Sequence, residues 1–183
     1  MSLPRAPIRT ARLILRPSAA TDAARALEIQ SNWNVTRNLR MASFPPDRRE
    51  TEAWFASHAQ EWADGAAYRF AVLHDNWMIG LADIDEIAHS EGDLGYWLEE
   101  AAWSRGFGYE AAQALVRFAF DTVQLTALNS GHAADNVNSG RILTRLGFMH
   151  VKNGTTYSKS RRSVIEQRSY RLVRGSPSPS VSA

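Results

Sequence analysis

The chain has 183 residues, of which 44% are hydrophobic and 22% charged, with 21 Lys and Arg against 19 Asp and Glu. This length favours one domain that buries its own core. The absence of cysteine excludes disulfides, cysteine–zinc sites and a cysteine nucleophile. The formal net charge of only +2 argues against a dedicated nucleic-acid-binding protein. Because no apolar run approaches the roughly 18 residues of a membrane span or forms a signal-peptide core, we expect a soluble, cytoplasmic protein.

Hydrophobic periodicity and turn residues predict helices and strands in alternating blocks along the chain. In chain order, these are a strand over 12–16, helices over 21–31 and 46–63, strands over 68–74, 78–84 and 93–98, a helix over 106–120, a strand over 125–131, a helix over 138–146, and strands over 148–157 and 163–173. This order is typical of an α/β domain with a mixed sheet. We assign residues 1–174 to the domain and expect residues 175–183, rich in Ser and Pro, to be a disordered tail.

The most informative segment is Trp103-Ser-Arg-Gly-Phe-Gly-Tyr-Glu110, where a loop becomes a helix. Its two glycines permit close backbone approach, so that several amide N–H groups can point outward at the positive end of the helix dipole. Arg105 adds a positive charge, and the segment predicts a phosphate or pyrophosphate site. A P-loop is excluded because no Gly-Lys-Ser/Thr follows, and a dinucleotide fingerprint is not matched because no first βαβ unit precedes it. Taken alone, the segment is explained equally well as a plain helix start.

A second polar helix start lies at Asn136 and Ser139. Both residue types cap helices, and the helix that follows would bury Ile142, Leu143 and Leu146 and end at Gly147. Capping alone would explain both polar side chains.

Together, in this order, the two segments resemble the GNAT acetyltransferase superfamily, and most closely its RimJ/RimL branch, which acetylates protein N-termini and related amines. The resemblance runs from about Thr10 to Leu172. Its other parts are Thr10-Ala-Arg-Leu-Ile-Leu-Arg-Pro17, Ile79-Gly80, Leu94-Gly-Tyr-Trp-Leu98 and Leu146-Gly147-Phe148. It implies a single GNAT-like domain with a mixed, mostly antiparallel sheet flanked by helices. Two strands of that sheet would splay apart to form an acetyl-CoA cleft.

The resemblance also implies where acetyl-CoA binds. The backbone of Arg105, Gly106, Phe107, Gly108 and Tyr109 would hold the pyrophosphate, and the strand containing Trp97 and Leu98 would flank the pantetheine arm. Asn136 would bond the cosubstrate or order its helix, and Ser139 would lie near the sulfur. Trp103 stands where the family often carries Gln or Arg, so one contact to acetyl-CoA is expected to be missing.

For the chemistry we expect direct attack of a neutral amine on the thioester, since no cysteine is present to form an acyl-enzyme. Much of the superfamily places a tyrosine four residues beyond the position of Ser139, where this chain has Leu143. Ser139 is therefore the predicted proton donor to the thiolate, with helix capping as the alternative.

Asp93 is the predicted base, because related enzymes often carry a carboxylate at its position. Asp83 and Asp85 share one strand face and are further candidates, as are Glu99 and Glu100. Each of these carboxylates can also be explained as an exposed surface group.

The acceptor amine would be a protein N-terminus or a small molecule, in a pocket built by residues 31–46 and the terminal hairpin. Trp33, Met41 and Phe44 would give that pocket a partly apolar wall. Lys159, Arg161, Arg162 and Arg168 could meet an acidic substrate or ribosomal RNA, although a solvated hairpin explains them as well.

Further expectations concern metals, partners and alternative functions. The five histidines lack metal-ligand spacing, so no metal is expected. A homodimer is possible, and no specific nucleic acid or membrane partner is expected. A CoA-responsive binding module that has lost catalysis is the alternative function.

Overall fold

The computed structural model describes residues 3–175, so the predicted tail, apart from Gly175, lies outside the described residues. The strands are β1 (Ile8–Arg9), β2 (Ile14–Pro17), β3 (Tyr68–His74), β4 (Trp77–Ala88), β5 (Glu91–Leu98), β6 (Ala127–Ala133), β7 (Met149–Ser158) and β8 (Ser163–Val173). The α-helices are α1 (Ala23–Gln30), α2 (Trp33–Thr36), α3 (Arg48–Asp64), α4 (Phe107–Arg117) and α5 (Val137–Arg145). These bounds confirm the predicted elements to within a few residues at most ends.

The strands form one sheet in the order β1-β2-β3-β4-β5-β6-β8-β7, antiparallel except for the parallel pair β5–β6. That pair is short: it runs only from Glu91 opposite Ala127 to Asp93 opposite Asn129. Where the strands part, the Ser130 hydroxyl donates a hydrogen bond of 2.8 Å to the carbonyl of Leu94. The mixed sheet with two splayed strands is therefore confirmed.

Helices cover both faces of the sheet. Phe70 and Ile84 face α4 and α5, where they share one core cluster with Leu115 and Leu143. Their strand neighbours Ala71 and Leu81 face the other side and pack with Ala26 of α1 and Phe55 of α3. Because both faces are covered, β3 is a nearly continuous apolar run instead of an alternating one.

Two features differ from the predicted elements. β1 has only two residues, which is too few for a periodic pattern to appear in the sequence. β4 continues to Ala88, four residues beyond the predicted end, because a register shift between Asp85 and Ala88 lets pairing with β5 resume at Glu91.

Candidate active site

A cavity of about 1070 Å³ runs through the gap between β5 and β6. One end lies at the loop before α4, and the other lies between residues 37–43 and the tip of the β7–β8 hairpin. Of the residues predicted to bind acetyl-CoA, those that line the cavity are Trp97, Leu98, Gly106, Phe107, Gly108, Tyr109, Asn136 and Ser139. The fold thus brings together two segments that the sequence separates by about thirty positions.

The donor end of the cavity is built on the backbone at the start of α4. Gly106 precedes the helix with φ of +81°, a conformation that glycine adopts without strain. No side chain caps this helix start, so its first amides are left facing the cavity. Unpaired amides at the positive end of a helix dipole are suited to a pyrophosphate, and the residues present therefore fit the CoA part of acetyl-CoA.

The loop is held from below by a side-chain network that the sequence did not reveal. The guanidinium Nε of Arg12 donates to Glu110 at 2.7 Å, and its Nη1 donates to the carbonyl of Arg105 at 2.9 Å. Thr10 donates to the other oxygen of Glu110 at 2.6 Å. These partners lie in two quoted motifs, but no local pattern in the sequence pairs residues so far apart.

The arginine side chains that line this end of the cavity belong to α5, not to the loop before α4. The Arg105 side chain lies over the Phe107 ring, 4.7 Å from its centroid, and is exposed outside the cavity lining. Arg141 and Arg145 of α5 line the cavity instead, and Arg145 lies 3.9 Å from the centroid of Tyr109. The Arg105 side chain therefore lies beside the lining while its backbone forms the loop, and its contact with acetyl-CoA stays a prediction.

Two aromatic side chains shape the wall formed by β5. The indole N–H of Trp103 donates to the carbonyl of Leu98 at 2.9 Å, so Trp103 fixes the end of the strand where an Arg or Gln contact was expected to be missing. The Tyr96 hydroxyl reaches the backbone carbonyl of Ser139 at 3.5 Å. Burial raises the pKa of Tyr96 to about 12, so this phenol keeps its proton at neutral pH. A phenol therefore reaches this helix start from β5, although position 143 carries leucine.

The two polar residues at the start of α5 have different roles. The Asn136 side chain accepts a hydrogen bond from the amide of Ser139 at 3.3 Å and is the cap. Within residues 3–175, the Ser139 hydroxyl has no hydrogen-bond partner, and this half-buried residue lines the cavity. The capping alternative therefore describes Asn136 but not the Ser139 side chain.

The candidate carboxylates lie in distinct surroundings. Asp93 pairs opposite Asp85 at the last position of β5–β6 pairing and does not line the cavity. Burial, followed by the charges of Glu86 and Asp85, raises its pKa. Glu99 is paired with Arg25, and Glu100 accepts from Asn32 at 2.6 Å.

Asp83 and Asp85 do line the cavity, at its acceptor end. The expectation that Asp83 is exposed is wrong, since its residue is only 7% exposed. The cause is its position in the middle of β4, between β3 and β5 and beneath α3. The spacing of Asp83 and Asp85 indicates that they share a face, but not that this face is covered.

This end of the cavity lies between residues 37–43, part of the 31–46 segment predicted to build an acceptor pocket, and the hairpin. Met41 lines it, whereas Trp33 and Phe44 contact each other at a centroid distance of 4.9 Å outside the lining, which corrects their predicted place in the wall. Lys159 pairs with Glu50 at 2.6 Å, so this part of the basic hairpin cluster is engaged in an ion pair.

Arg37 and Arg161 both pair with Asp135, which ties the segment after α2 to the hairpin. Hydrogen bonds from Arg161 and Arg37 hold the pKa of Asp135 down at about 2, so this tie stays charged across the physiological range.

Within the described residues 3–175, no group of three His, Asp or Glu side chains is arranged to hold a metal ion. None of the helices in that part of the chain is both long and apolar enough to cross a membrane.

The splayed sheet, the loop of free amides and the cavity between them define an acyl-CoA-dependent transferase. The family model "Acetyltransferase (GNAT) domain" matches residues 12–149. This chain belongs to the GNAT acetyltransferase family, so it is an acetyl-CoA-dependent enzyme, as the resemblance implied.

Similar proteins agree with this assignment. The chain is 25% identical over 173 residues to the uncharacterized N-acetyltransferase YoaA of Bacillus subtilis (strain 168), covering 88% of this chain and 97% of that protein. Among solved structures, it shares the fold of RimL, a ribosomal L7/L12 alpha-N-protein acetyltransferase in complex with coenzyme A, with a TM-score of 0.81 at 16% identity over 94% of this chain and 98% of RimL.

A second solved structure with this fold is the microcin C7 self-immunity acetyltransferase MccE, in complex with acetyl-CoA and AMP. It has a TM-score of 0.79 at 16% identity, over 90% of this chain and 93% of MccE. The chain thus has a RimL-like fold. Because a protein-acetylating enzyme and a self-immunity enzyme both have this fold, it does not identify the acceptor.

Proposed function

We propose that this chain moves the acetyl group of acetyl-CoA to a primary amine by direct attack, without an acyl-enzyme. The observation that carries the proposal is one continuous cavity, which joins the loop before α4 to the acceptor end through the β5–β6 gap. A donor bound along the loop and an acceptor entering from the other end would meet in that gap. No cysteine is available for an acyl-enzyme, and Ser139 has no histidine hydrogen-bonded to it within the described chain.

At the donor end, the backbone of residues 105–109 would hold the pyrophosphate of acetyl-CoA. Free amides at a helix start attract phosphate, and Arg141 and Arg145 add charge to the same wall. Trp97 and Leu98 would flank the pantetheine arm, because they line the part of β5 that has left β6. Asn136 would act by holding the first turn of α5 in place.

Ser139 is proposed as the proton donor to the thiolate that leaves when the amide forms. Support comes from the place of Ser139 in the cavity lining and from its hydroxyl, which is not used in capping. Asp93 stays a predicted base, and its place outside the cavity lining weakens its claim.

The acceptor is proposed to be the α-amine of a protein, such as a ribosomal protein, by likeness to RimL. A small-molecule amine is the second candidate, because ion pairs hold the hairpin in place beside the cavity. Asp135 ties the hairpin to the segment after α2, and Glu50 ties it to α3. Such ties restrict the bulk of an acceptor. A cytoplasmic location and a homodimer are two further proposals.

The first experiment is calorimetric titration with acetyl-CoA, desulfo-CoA and NAD. We expect saturable binding of acetyl-CoA and none of NAD. Thiol release from acetyl-CoA is then measured with a panel of peptides with free N-termini, spermidine, glycinamide and n-butylamine. Binding of acetyl-CoA without turnover of any amine would favour the CoA-responsive binding module, and absence of binding would remove both functions.

The role of Ser139 is tested by Ser139→Ala with Thr144→Ala as the matched control. Thr144 carries a hydroxyl on the same helix, but it is exposed and bonded to the Gly140 carbonyl at 3.0 Å. We expect Ser139→Ala to keep the acetyl-CoA affinity and lower kcat about 100-fold, in the usual range for general acid catalysis. An unchanged kcat would show that Ser139 is not the donor.

A further inference from the structure

We propose that Asp83 is the residue that takes the proton from the ammonium group of the acceptor. This inference rests on the reaction proposed above. The sequence placed Asp83 only among several alternatives to Asp93. Its surroundings in the fold distinguish it from all the others.

Asp83 belongs to a buried cluster with more negative than positive charge. It lies opposite Arg69 of β3, and one of its oxygens, Oδ2, accepts a hydrogen bond from that guanidinium. Arg69 also donates to Glu61 at 2.8 Å and to Asp85 at 3.0 Å. One guanidinium thus faces three carboxylates, so the cluster favours binding a further positive charge or a proton.

The other oxygen of Asp83, Oδ1, faces an opening in β5. Asp83 lies directly opposite Gly95, and a Cβ atom at Gly95 would lie 2.4 Å from Oδ1. The carboxylate therefore fills the space that a side chain of β5 would occupy. Oδ1 has no hydrogen-bond partner in residues 3–175, and Asp83 lines the cavity. A free acceptor atom is thus held beside the strand that borders the cleft.

Asp83 and Ser139 approach the cleft from opposite faces of the sheet. Asp83 shares the face of Arg69 and α3, whereas α5 packs on the other face. An amine that arrives over Asp83 would therefore lose its proton on one side, while the thiolate is protonated on the other.

The proton and electron balance of the step is complete. The ammonium gives one proton to Oδ1 of Asp83, and the freed nitrogen lone pair forms a bond to the thioester carbon. The carbon–sulfur bond breaks, its electron pair stays on sulfur, and the second nitrogen proton is delivered to that sulfur through the Ser139 hydroxyl. Asp83 then releases its proton to solvent through the cavity, so the products are the amide, CoA and one proton.

The electrostatics are consistent with this role. Charged groups on the elements packed around Asp83 are Arg69 on β3, Asp85 and Glu86 on β4, Asp93 on β5, Glu61 on α3 and Arg40 after α2. Burial and then the charge of Asp85 raise the pKa of Asp83, against the opposing effect of Arg69. A raised pKa makes the carboxylate a stronger base for proton transfer.

The test compares Asp83→Asn with Glu52→Gln, which removes a carboxylate of α3 that pairs with the exposed Arg48 and does not line the cavity. Thiol release is measured between pH 6 and 10 with glycinamide and n-butylamine, whose pKa values differ by roughly 2.5. For Asp83→Asn we expect kcat/KM at pH 7 to fall about 100-fold, more for n-butylamine than for glycinamide, and to recover toward wild type near pH 10. Glu52→Gln should change it less than about 3-fold.

A second variant keeps every charge of the cluster. Gly95→Ala fills the opening at β5, and we expect it to lower the amine rate while acetyl-CoA affinity stays close to that of wild type. Because its Cβ would displace a buried carboxylate, the melting temperature should fall, and rates are measured well below it. In parallel, carbon-13 NMR of the aspartate carboxyls should show Asp83 responding to n-butylammonium in wild type, and no such response in Gly95→Ala.

The outcomes separate this inference from the function on which it rests. The assignment to Asp83 is overturned if the pH profile of Asp83→Asn equals that of wild type. It is also overturned if Asp93→Asn, and not Asp83→Asn, shows the pH-dependent loss of kcat/KM. Either result leaves the proposed acetyl transfer intact. If Asp83→Asn fails to fold, the NMR experiment on wild type still decides. An Asp83 carboxyl that does not respond to n-butylammonium overturns the assignment to Asp83. If wild type turns over no amine of the panel, the proposed function fails and the proton transfer fails with it.

Discussion

The two ends of the cavity are built in different ways. At the donor end, consecutive backbone groups of residues 106–109 form the wall, and Gly106 and the uncapped start of α4 fix their direction. At the acceptor end, the wall consists of side chains from β3, β4, α3, the segment after α2 and the hairpin. Its charges are arranged by contacts such as Arg69 with Asp83 and Lys159 with Glu50.

This difference explains why the donor is easier to infer than the acceptor. A backbone site needs only a local conformation, so a short motif reports it wherever the motif occurs. A side-chain site depends on which remote residues meet, and one substitution in any of them changes its charge or shape. The comparison predicts that the two ends respond separately to substitution, and three measurements test this.

The largest expected effect is on the pH dependence of stability and comes from His58. This residue lies on α3, a helix that contributes to the acceptor end. It is 2% exposed, its Nδ1 is 2.7 Å from the Ser18 hydroxyl, and its Nε2 is buried without a hydrogen-bond partner. Burial, followed by the charge of Arg69, lowers its pKa from 6.5 to about 4. The unfolded chain therefore binds a proton below pH 6.5 that the folded protein excludes down to about pH 4.

The free energy of unfolding should accordingly be unaffected by His58 above pH 6.5 and fall by about 3 kcal/mol between pH 6.5 and 4. Urea unfolding of wild type and His58→Gln at several pH values measures this difference, because other groups contribute equally to both. Parallel pH dependences of the two proteins would contradict the prediction. Acetyl-CoA affinity at pH 7.5 should be the same in both.

An intermediate effect is expected at the donor end from Gly106→Val. A β-branched residue at φ of +81° is strained by about 2 kcal/mol, and relief of that strain would turn the amides away from the ligand. Calorimetry should show acetyl-CoA affinity reduced about 30-fold.

The control for Gly106→Val is Gly154→Ala, where a Cβ would meet nothing within 4 Å. Affinity equal to that of wild type in Gly106→Val would mean that the loop does not bind the donor. Faster amide exchange in the hairpin of Gly106→Val than in that of wild type would mean that the two ends of the cavity are not independent.

The smallest effect is expected from Asp135→Asn, which releases both Arg37 and Arg161. Partly exposed ion pairs contribute about 1 kcal/mol or less, and salt weakens them. The amide of Lys159, bonded to the Arg40 carbonyl at 2.8 Å, should exchange about 5-fold faster by hydrogen-exchange NMR, and less so at high salt.

Acetyl-CoA affinity of Asp135→Asn should not change. Glu52→Gln is the matched control, since it removes an exposed pair with Arg48 on α3, at a distance of 3.3 Å, that does not touch the hairpin. Equal exchange in the two variants would show that Asp135 does not restrain the hairpin.

Much of the fold could be read from local patterns. The period of apolar residues predicts α3, α4 and α5. In the structure α3 begins after Asp47, whose side chain accepts from the Glu50 amide at 2.9 Å. β1 escaped prediction because it exists only through its pairing with β2. The exposed reading of Asp83 failed because a carboxylate in a strand gives no sign of a buried arginine fourteen residues earlier.

The sequence by itself determined most of the secondary structure and the loop before α4, since each rests on residues close together in the chain. It also indicated the acetyltransferase family, through the order of several such short segments. The tertiary structure decided which side chains face the cavity: it placed Arg105 outside, left the Ser139 hydroxyl free, and set Asp83 against the gap at Gly95. It also joined Arg12 to Glu110, 98 residues apart. Local conformation follows from neighbouring residues, whereas the meeting of distant side chains follows only from how helices and strands pack.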